Sequence, residues 1–327
     1  MTIGKFPIRM KEARMMMGFS MDKLVERTGG FITKQSISRY ERGIMRPKRD
    51  AEVSLAKALK ISKDYFYGTN LQIDLPMLRT TSGGKLTEEE LAALEAKLSF
   101  WTEQYLEKEK KADLSIPFKN PIPKTPVSDL EGVIRVADVL RKKWNCGDGP
   151  MPSILRLLER KGIKILATEL PDDVWGMSTW ADKVHPLIVI DLRPEKTSTD
   201  RLRFTAAHEL AHLLLTFPKG LEHEQIEKLC NEFASFFLFP KTTFIDEMGN
   251  SQRSQLTLAE LIDLKEVYGV SVAAQVHEAW DLRMISREHY DWWFNERINK
   301  NRKESGWGDY KFPETIGRER RIESRVE

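Results

Sequence analysis

Apolar residues recur every three to four positions through residues 1–70, which is the spacing of amphipathic helices. Ser20 and Thr33 stand where two helices would begin, and Gly18 and Gly43 stand where two would end. The fourth apolar segment contributes five residues to the predicted core: Val53, Leu55, Ala56, Leu59 and Ile61. A short fifth segment, SKDYFYG, follows it. The pattern therefore predicts a compact unit of five helices in residues 1–70.

Residues 71–127 have a different pattern, which is typical of a connector. The stretch LTEEELAALEAKLSFWTEQYLEKEKK predicts one long helix, and Thr87 with Glu90 forms a capping box at its start. Four prolines then follow within the short stretch IPFKNPIPKTPV and predict a semi-extended spacer. A helix that rests on its neighbour is the favoured interpretation of this segment, and a dimerisation helix is the alternative.

Helical and strand-like patterns alternate from residue 128 to residue 290. Two helical segments precede three short runs rich in β-branched residues, KILATEL, WGMSTWA and PLIVIDL, and a helix follows in TDRLRFTAAHELAHLLL. His185, before Pro186, is interpreted as a loop residue. The order predicts an α+β domain, so the whole chain is expected to be mainly α with a small sheet. Residues 291–327 form an aromatic-rich extension that we expect to pack on the domain and to end in a frayed charged run.

Composition narrows the class of protein. The chain has 327 residues, enough for two domains, and 41% hydrophobic with 31% charged residues is ordinary for a globular protein. No apolar run is long enough to span a membrane, and the first residues lack the pattern of a signal peptide. The two cysteines, Cys146 and Cys230, lie far apart, which argues against a disulfide scaffold or a thiolate zinc site. We therefore expect a cytoplasmic protein with no membrane partner.

Charge is unevenly distributed along the chain. Residues 1–70 carry 15 Lys and Arg against 7 Asp and Glu, a net charge of +8, whereas the remainder carries −5. A basic first segment on an acidic body indicates that a polyanion binds at one end only.

The basic segment also carries the pattern of a DNA reader. Two short helices with a tight turn between them fit a helix-turn-helix, whose second helix, TKQSISRYERG, would enter the major groove. The residues expected to face DNA bases are Thr33, Lys34, Gln35 and Arg39, and those expected to contact phosphate are Arg42, Arg46, Lys48 and Arg49. A basic helical bundle that binds protein is the alternative interpretation.

The second candidate site lies in TAAHELAHLLL. His208 and His212 are four residues apart, so they share one face of a helix and can bind one metal ion. Glu209 lies beside His208, where it can act as the general base of the HExxH arrangement. A buried helix that happens to contain histidine is the alternative interpretation. A catalytic zinc needs a third protein ligand, and Glu227 and Asn231 lie downstream at the same spacing of four.

The E-x-x-x-N spacing resembles the gluzincin pattern, which implies that Glu227 is the third ligand and that Asn231 holds a histidine in place. Glu232 is the second choice of third ligand. His223 and Glu224 are more consistent with solvated positions. His277 could donate to an oxyanion, although an exposed helical histidine is the favoured interpretation. Zinc is the expected metal, and manganese suits the same ligands.

Two family resemblances follow from these motifs. TKQSISRYERG with LAKALKIS…YFYG resembles the XRE family of phage-repressor-like helix-turn-helix domains over residues 5–68, although the turn RTGGFIT is about two residues longer than the tightest members have. RFTAAHELAHLLL with E-x-x-C-N-E-F-A…FP resembles the ImmA/IrrE family of zinc metallopeptidases over residues 128–290. In this sequence Cys230 stands where alanine is common, and HEAW replaces a usual arginine–alanine pair. We expect neither change to touch a metal ligand and the second to alter the substrate groove.

The resemblance implies a gluzincin-like metallopeptidase domain fused to the DNA reader, since members of the second family typically cleave XRE-type repressors. We expect a transcriptional regulator that forms a homodimer, as DNA readers of this type usually do, and that binds a double-stranded DNA operator. Its substrate would be a repressor-type or antitoxin-type protein, or the chain itself, in a stress, mobile-element or toxin–antitoxin locus. The alternatives are a non-proteolytic XRE repressor or antitoxin whose metal-binding domain senses a ligand or partner, and a protease with a vestigial helix-turn-helix.

Overall fold

The computed structural model describes residues 5–68, 71–75, 87–122, 124, 126–171, 174–193 and 197–326. Residues 76–86 of the predicted connector lie outside the described residues. The described residues divide into two compact units. The first lies within Met1–Ser115, Trp180–Val184 and Ile322–Glu327, and the second within Ile116–Thr179 and His185–Arg321. The domain limits predicted at residues 70, 127 and 290 stay predictions.

The first unit begins with the helices that the apolar spacing predicts. They are α1 (Lys5–Met16), α2 (Met21–Arg27), α3 (Lys34–Glu41), α4 (Arg49–Leu59) and a 3₁₀ helix (Lys63–Tyr67). The predicted caps are present, because Ser20 Oγ accepts the Lys23 N–H at 3.0 Å and Thr33 Oγ1 accepts the Ser36 N–H at 3.2 Å. The fifth segment is a 3₁₀ helix and not an α-helix.

The core of these helices differs from the predicted set at one position. Leu55, Ala56 and Leu59 are buried with Ile37 and other apolar residues, whereas Val53 is 45% exposed. Val53 lies about 160° from Leu55 around the helix, outside the face that Leu55, Ala56 and Leu59 share. The prediction that Val53 belongs to the core was therefore wrong.

The long helix of the connector region, α5 (Glu88–Lys111), belongs to the first unit. Its capping box is present: Thr87 Oγ1 accepts the Glu90 N–H at 3.2 Å, and the Glu90 carboxylate accepts the Thr87 N–H at 2.8 Å. The buried Arg9 of α1 forms an ion pair with Glu103 of α5 and lies 3.8 Å above the ring of Tyr65. The helix therefore rests on its neighbours in the same unit.

The remaining elements follow the predicted order of helices, a small sheet and helices. They are α6 (Leu130–Trp144), α7 (Ile154–Arg160), β1 (Lys164–Ala167), β2 (Gly176–Ala181), β3 (His185–Ile190), α8 (Thr199–Leu214), α9 (His223–Leu238), α10 (Lys241–Met248), α11 (Leu258–Tyr268), α12 (Val272–Asp281), α13 (Arg287–Trp292), a π-helix (Trp293–Ile298) and α14 (Arg318–Val326). Among the described residues the protein has 14 α-helices and is 56% helical, so the mainly α class is confirmed. No helix in the described ranges combines the length and the apolar character needed to cross a membrane.

The sheet has three strands in the order β1-β3-β2. β1 and β3 run parallel, with Lys164 opposite Leu187 and Ala167 opposite Ile190. Residues 182–184 join β2 to β3, and so short a connection joins antiparallel strands. His185 is the first residue of β3, so its interpretation as a loop residue was wrong. Proline is tolerated near the beginning of a strand, which explains why Pro186 does not exclude one there.

The C-terminal extension packs as its aromatic content predicts. Trp293, Trp307 and Tyr310 are buried. The final charged run, expected to be frayed, instead forms α14, because its one isoleucine, Ile322, is 1% exposed and packs with Tyr105. One buried isoleucine in a strongly charged segment does not form an apolar pattern, so the sequence did not predict this helix.

Candidate metal centre

The candidate metal centre lies between two facing helices, α8 and α9. α8 buries Ala206, Leu210 and Ala211. α9 buries Phe233 and Phe237, whose rings stack at 5.5 Å. Helices that are apolar over most of their surface are held by neighbours on several sides. The side chains at their interface are therefore held by packing on both helices.

Three donor groups converge between these helices. His208 Nε2 lies 3.1 Å from His212 Nε2, as expected for ring nitrogens one helical turn apart. The carboxylate of Glu227 spans both rings, with Oε2 3.3 Å from His208 Nε2 and Oε1 3.3 Å from His212 Nε2. One donor atom from each of the three residues lies within 4.8 Å of the other two. The structure thus brings together the three residues that the sequence motifs single out.

Two residues of α9 contact the Nδ1 atoms of the histidines, which are the ring nitrogens that do not face Glu227. Asn231 Oδ1 lies 2.9 Å from His208 Nδ1 and accepts its hydrogen, so that Nε2 is the nitrogen that faces Glu227. Cys230 Sγ lies 3.6 Å from His212 Nδ1. Cys230 was expected to touch no ligand, and that prediction was wrong. Its place three residues after Glu227, on nearly the same helical face, was the signal that could have revealed it.

The charges of the three groups are strongly coupled. Burial alone would raise the pKa of the Glu227 carboxyl, but hydrogen bonds from His208 and His212 hold that pKa well below its usual value. Burial would likewise lower the pKa of His208, but the bond to Glu227 and the charges of Glu209 and Glu227 raise it. Glu227 therefore stays ionised against two imidazoles, and a metal ion bound there would displace the proton that Glu227 helps His208 to hold.

Glu209 lies beside this cluster and is held by the sheet. Its side chain is buried, and its Oε2 accepts a hydrogen bond from the hydroxyl of Ser178 on β2 at 2.8 Å. The neighbouring Gly176 permits this approach, since a Cβ there would come within 2.5 Å of Thr205 Cγ2 on α8. Sequence reasoning missed Ser178. The alternation of WGMSTWA, which places residues 176 and 178 on one face of a strand, was the available signal.

Comparisons with known families agree with this geometry. Residues 158–279 match the model of the IrrE N-terminal-like domain, a peptidase family, and residues 10–66 match a helix-turn-helix model. The first match spans α7 to α12 and the second spans α1 to the 3₁₀ helix. The chain matches none of the curated proteins. The chain joins a helix-turn-helix domain to an IrrE-like domain. The predicted fusion is confirmed, and the IrrE-like peptidase family implies a divalent metal ion.

The residues of the IrrE-like domain fit such an ion. Two neutral imidazole nitrogens and one carboxylate form the ligand set that divalent transition metals prefer, and the bond between His208 and Asn231 is the outer support that metal-binding histidines usually have. No other group of three His, Cys, Asp or Glu residues in the described part of the chain comes as close together.

The alternative ligands lie outside this set. Glu232 forms an ion pair with Lys228 instead, since its Oε1 lies 3.6 Å from Lys228 Nζ. His223 Nδ1 is 3.8 Å from Glu227 Oε1, and the side chain is half exposed. Glu224 is exposed on the first turn of α9. His277 lies 3.6 Å from Asp281 and is also half exposed, as the favoured interpretation predicts.

The helix-turn-helix domain presents its predicted contact residues to solvent. Lys34, Gln35 and Arg39 are exposed on α3, and Arg42, Arg46, Lys48 and Arg49 are exposed beyond its end. Ile37 and Tyr40 are buried on the face opposite Gln35 and Arg39. Two of the predicted base-reading side chains have partners within the domain: Thr33 caps α3, and Lys34 Nζ lies 2.7 Å from Asp22. Gln35 and Arg39 are therefore the better placed for base edges.

Proposed function

We propose that the protein is a DNA-binding regulator whose IrrE-like domain is an active zinc metallopeptidase. Its substrate is a repressor-type or antitoxin-type protein, or the chain itself, encoded in a stress, mobile-element or toxin–antitoxin locus. The observation that carries the proposal is the convergence of His208, His212 and Glu227, whose donor atoms lie within 4.8 Å of one another, with the buried Glu209 beside them.

His208, His212 and Glu227 would hold the zinc ion. Three protein ligands with an open fourth position is the arrangement of catalytic zinc sites, whereas structural sites use four protein ligands. Manganese suits the same donors. A zinc ion held by these residues would supply Lewis-acid chemistry, since it would make a water molecule more acidic and would polarise the carbonyl of the scissile peptide bond.

Glu209 is the proposed general base. Its carboxylate takes a proton from the attacking water and passes it to the amine that leaves when the peptide bond breaks. The Ser178 hydroxyl donates to one carboxylate oxygen at 2.8 Å and so fixes the direction in which the other can act. Asn231 has the corresponding positioning role for His208, since its Oδ1 lies 2.9 Å from His208 Nδ1. These contacts support a base and a metal ligand held in fixed geometry before substrate binds.

The helix-turn-helix domain is the proposed operator reader. Gln35 and Arg39 would contact base edges in the major groove, with Lys34 and Thr33 at the beginning of the same helix. Arg42, Arg46 and Lys48 would contact phosphate and so fix the register of α3 on the duplex. Exposure of these basic side chains and the +8 charge of residues 1–70 support DNA as the partner. A homodimer, which would read two half-sites, stays a prediction.

The experiment compares the wild type with Glu209→Gln, which keeps the size of the side chain and removes the base. Each protein is incubated with zinc, alone and with repressor-type proteins encoded near it, and the products are measured by intact mass. We expect fragments with the wild type and none with Glu209→Gln. Glu288→Gln, an exposed change on α13, is the matched control and should cleave like the wild type.

A different outcome points to the non-proteolytic function. If the wild type binds zinc stoichiometrically and yields no fragment with any substrate, the proposed protease is rejected in favour of a regulator that senses a ligand or partner. If Glu209→Gln cleaves as fast as the wild type, another group supplies the base and the assignment of Glu209 fails.

A further inference from the structure

A cavity of about 580 Å³ lies beside the metal cluster, among α8, α9 and α12. Glu227 and Asn231 line it, so it adjoins the place where a substrate would be cut. Its volume falls in the range that binds a small molecule or a long side chain. All of its lining residues belong to the second compact unit.

The wall formed by α9 and α12 carries three buried carboxylate oxygens that have no hydrogen-bond partner among the described residues. Glu278 is 2% exposed, and neither of its oxygens has a hydrogen-bond partner among the described residues. Glu232 is 9% exposed, and its Oε2 also has none among them. Buried polar groups in native proteins are nearly always paired, so an unpaired carboxylate lining a cavity indicates a missing donor.

Four cations line the same cavity, Arg201, Lys228, Arg302 and Lys303, and among the described residues only Lys228 forms an ion pair with either carboxylate. Lys228 Nζ lies 3.6 Å from Glu232 Oε1, and His277 Nδ1 lies 3.6 Å from Asp281 Oδ2. No described cation forms an ion pair with Glu278. Burial, and then the charge of Asp281, raises the pKa of Glu278 well above its usual value. A cation at this place would offset both effects.

The rest of the lining favours a side chain over a bare ion. Phe204, Phe236 and Phe294 line the same cavity and suit the methylene stem of a long cationic side chain. Among the described residues, Glu232, Glu278 and Asp281 do not form a group close enough to hold a metal ion together. The site therefore combines an apolar wall with carboxylates that lack a donor.

We propose that this cavity binds the lysine or arginine side chain of the peptide substrate, next to the bond that is cut, with Glu278 and Glu232 accepting hydrogen bonds from its charged end. Glu278 is then the specificity-determining residue. Glu278 belongs to the HEAW stretch, where the sequence differs from the ImmA/IrrE family that it resembles. That difference was expected to alter the substrate groove. The inference rests on the proposed peptidase function for its biological meaning, but its binding test does not need catalysis.

The binding test uses two peptides that differ only at the end of one side chain, where citrulline has a neutral urea group in place of the guanidinium. Acetyl-Ala-Arg-Ala amide and the same peptide with citrulline for arginine are titrated into the full-length, zinc-loaded Glu209→Gln protein, and the dissociation constants are measured by calorimetry or NMR. We expect the arginine peptide to bind about 10-fold more tightly, since hydrogen bonds to charged groups are the stronger kind. Glu278→Gln in the same protein should reduce the preference below about 2-fold.

The matched control is Glu224→Gln, which removes an equal but exposed charge from the rim of the same cavity. It should keep most of the arginine preference, because exposed charges are screened by water and salt. Equal binding of the two peptides, or an unchanged preference in Glu278→Gln, overturns the proposal. Loss of arginine-peptide binding in millimolar Mg²⁺ at constant ionic strength shows a metal site instead and also overturns it.

A second arm separates this inference from the proposed function. The wild type and Glu278→Gln, each loaded with zinc, digest a mixture of random peptides, and the cut sites are mapped by mass spectrometry. Enrichment of Lys or Arg at one fixed position relative to the cut bond, together with its loss in Glu278→Gln, supports the inference. Cutting without such enrichment overturns it. If the wild type cuts nothing, the proposed function fails and the binding arm alone decides about the cavity.

Folding of the variant is checked by thermal unfolding. Glu278→Gln should unfold at or above the temperature of the wild type, because it removes an unpaired buried carboxyl. If it does not fold, Glu232→Gln tests the same wall from α9 and should lose part of the arginine preference. An unchanged preference in that variant counts against the proposal.

Discussion

At the scale of single residues, the centre depends on which nitrogen of each histidine carries the hydrogen. His208 donates from Nδ1 to Asn231 Oδ1 at 2.9 Å, which leaves Nε2 as the nitrogen that faces Glu227. His212 has only a thiol, Cys230 Sγ at 3.6 Å, in the corresponding place. Sulfur is a weak partner, so His208 is held more firmly than His212.

Asn231→Ala should weaken zinc binding by about 10- to 100-fold, because the substitution frees the ring of His208 and removes the acceptor that fixes its tautomer. Competition with a chromophoric zinc chelator measures the change. His223→Asn is the matched control on the same helix, since His223 lies 3.8 Å from Glu227 but outside the ligand set, and it should change the affinity less than about 3-fold. A larger loss in His223→Asn than in Asn231→Ala would reverse the two roles.

The residues of the candidate centre could be predicted from the sequence because each pair of them is a local pattern. His208 with His212, and Glu227 with Asn231, are four residues apart on one helix. The contact of Ser178 with Glu209 could not be predicted in this way, because it joins a strand and a helix whose residues are 31 positions apart. No helical or strand period predicts which neighbours two separate elements bring together.

At the scale of secondary structure, α3 combines a buried face with an exposed basic one. Ile37 and Tyr40 fix it in the core, and the Thr33 cap fixes where it begins. The residues beyond its end, Arg42, Arg46 and Lys48, are exposed and stand in a cluster along the chain. Such an arrangement positions a reading helix by its phosphate contacts.

Removing those contacts should weaken the salt dependence of DNA binding. The triple variant Arg42→Ala, Arg46→Ala, Lys48→Ala should lower the slope of log K against log salt by roughly 2 to 3, since each phosphate contact contributes about 0.9. Fluorescence anisotropy with a random-sequence 30-base-pair duplex measures the slope. The control removes the same charge from the end of α4 and just beyond, with Lys57, Lys60 and Lys63 changed to alanine, and should leave the slope within about 1. Equal slopes for the two triple variants would contradict the assignment.

Helices and strands were largely predictable because one local property determines each. Caps at Ser20, Thr33 and Thr87 predicted where three helices begin, and the β-branched runs predicted the strands. The errors have local causes too. Val53 lies outside the buried face of α4. The prediction counted it with the core because the segment also has apolar residues beyond that face. Pro186 was taken as a sign of a loop although proline is compatible with the beginning of a strand.

At the scale of the whole molecule, the C-terminal extension completes the core of the second unit. Glu314 forms an ion pair with Arg203 of α8, and both side chains are buried. The same carboxylate accepts the Ile154 N–H at 2.9 Å and the Ser153 hydroxyl at 2.8 Å, where α7 begins. Arg203 also donates to the carbonyl of Met151 at 2.8 Å. One carboxylate thus links the extension to two helices, one of which carries His208 and His212.

Glu314→Ala should destabilise the protein by about 3 kcal/mol, because it leaves the buried guanidinium of Arg203 and the first N–H groups of α7 without their partner. Urea denaturation followed by circular dichroism measures the change. Glu296→Ala, which removes an exposed carboxylate paired with Lys300 in the same extension, is the control and should leave the midpoint unchanged within error. A similar midpoint for Glu314→Ala and the wild type would show that the extension does not stabilise the domain.

Features of the whole molecule could be predicted where a local sequence pattern carries them, and could not where they depend on contacts between residues far apart in the chain. The uneven charge and the two motif sets predicted a fusion of two domains, and the family matches confirm it. The pairing of Arg203 with Glu314 spans 111 positions and leaves no local trace in the sequence. The cavity wall is similar, since Glu232 and Glu278 come from α9 and α12, and only the fold shows that Glu232 Oε2 and both oxygens of Glu278 have no hydrogen-bond partner among the described residues.

The most direct test of the account is the metal content of the intact chain. Native mass spectrometry of the wild type, after zinc loading and removal of excess metal, should show one zinc ion per chain. Glu227→Ala should show none under the same conditions, because it removes one of three ligands, while the exposed Glu288→Ala should still bind one. A wild type that binds no zinc or manganese, or a Glu227→Ala protein that binds as much as the wild type, would contradict the assignment of His208, His212 and Glu227 as a metal centre.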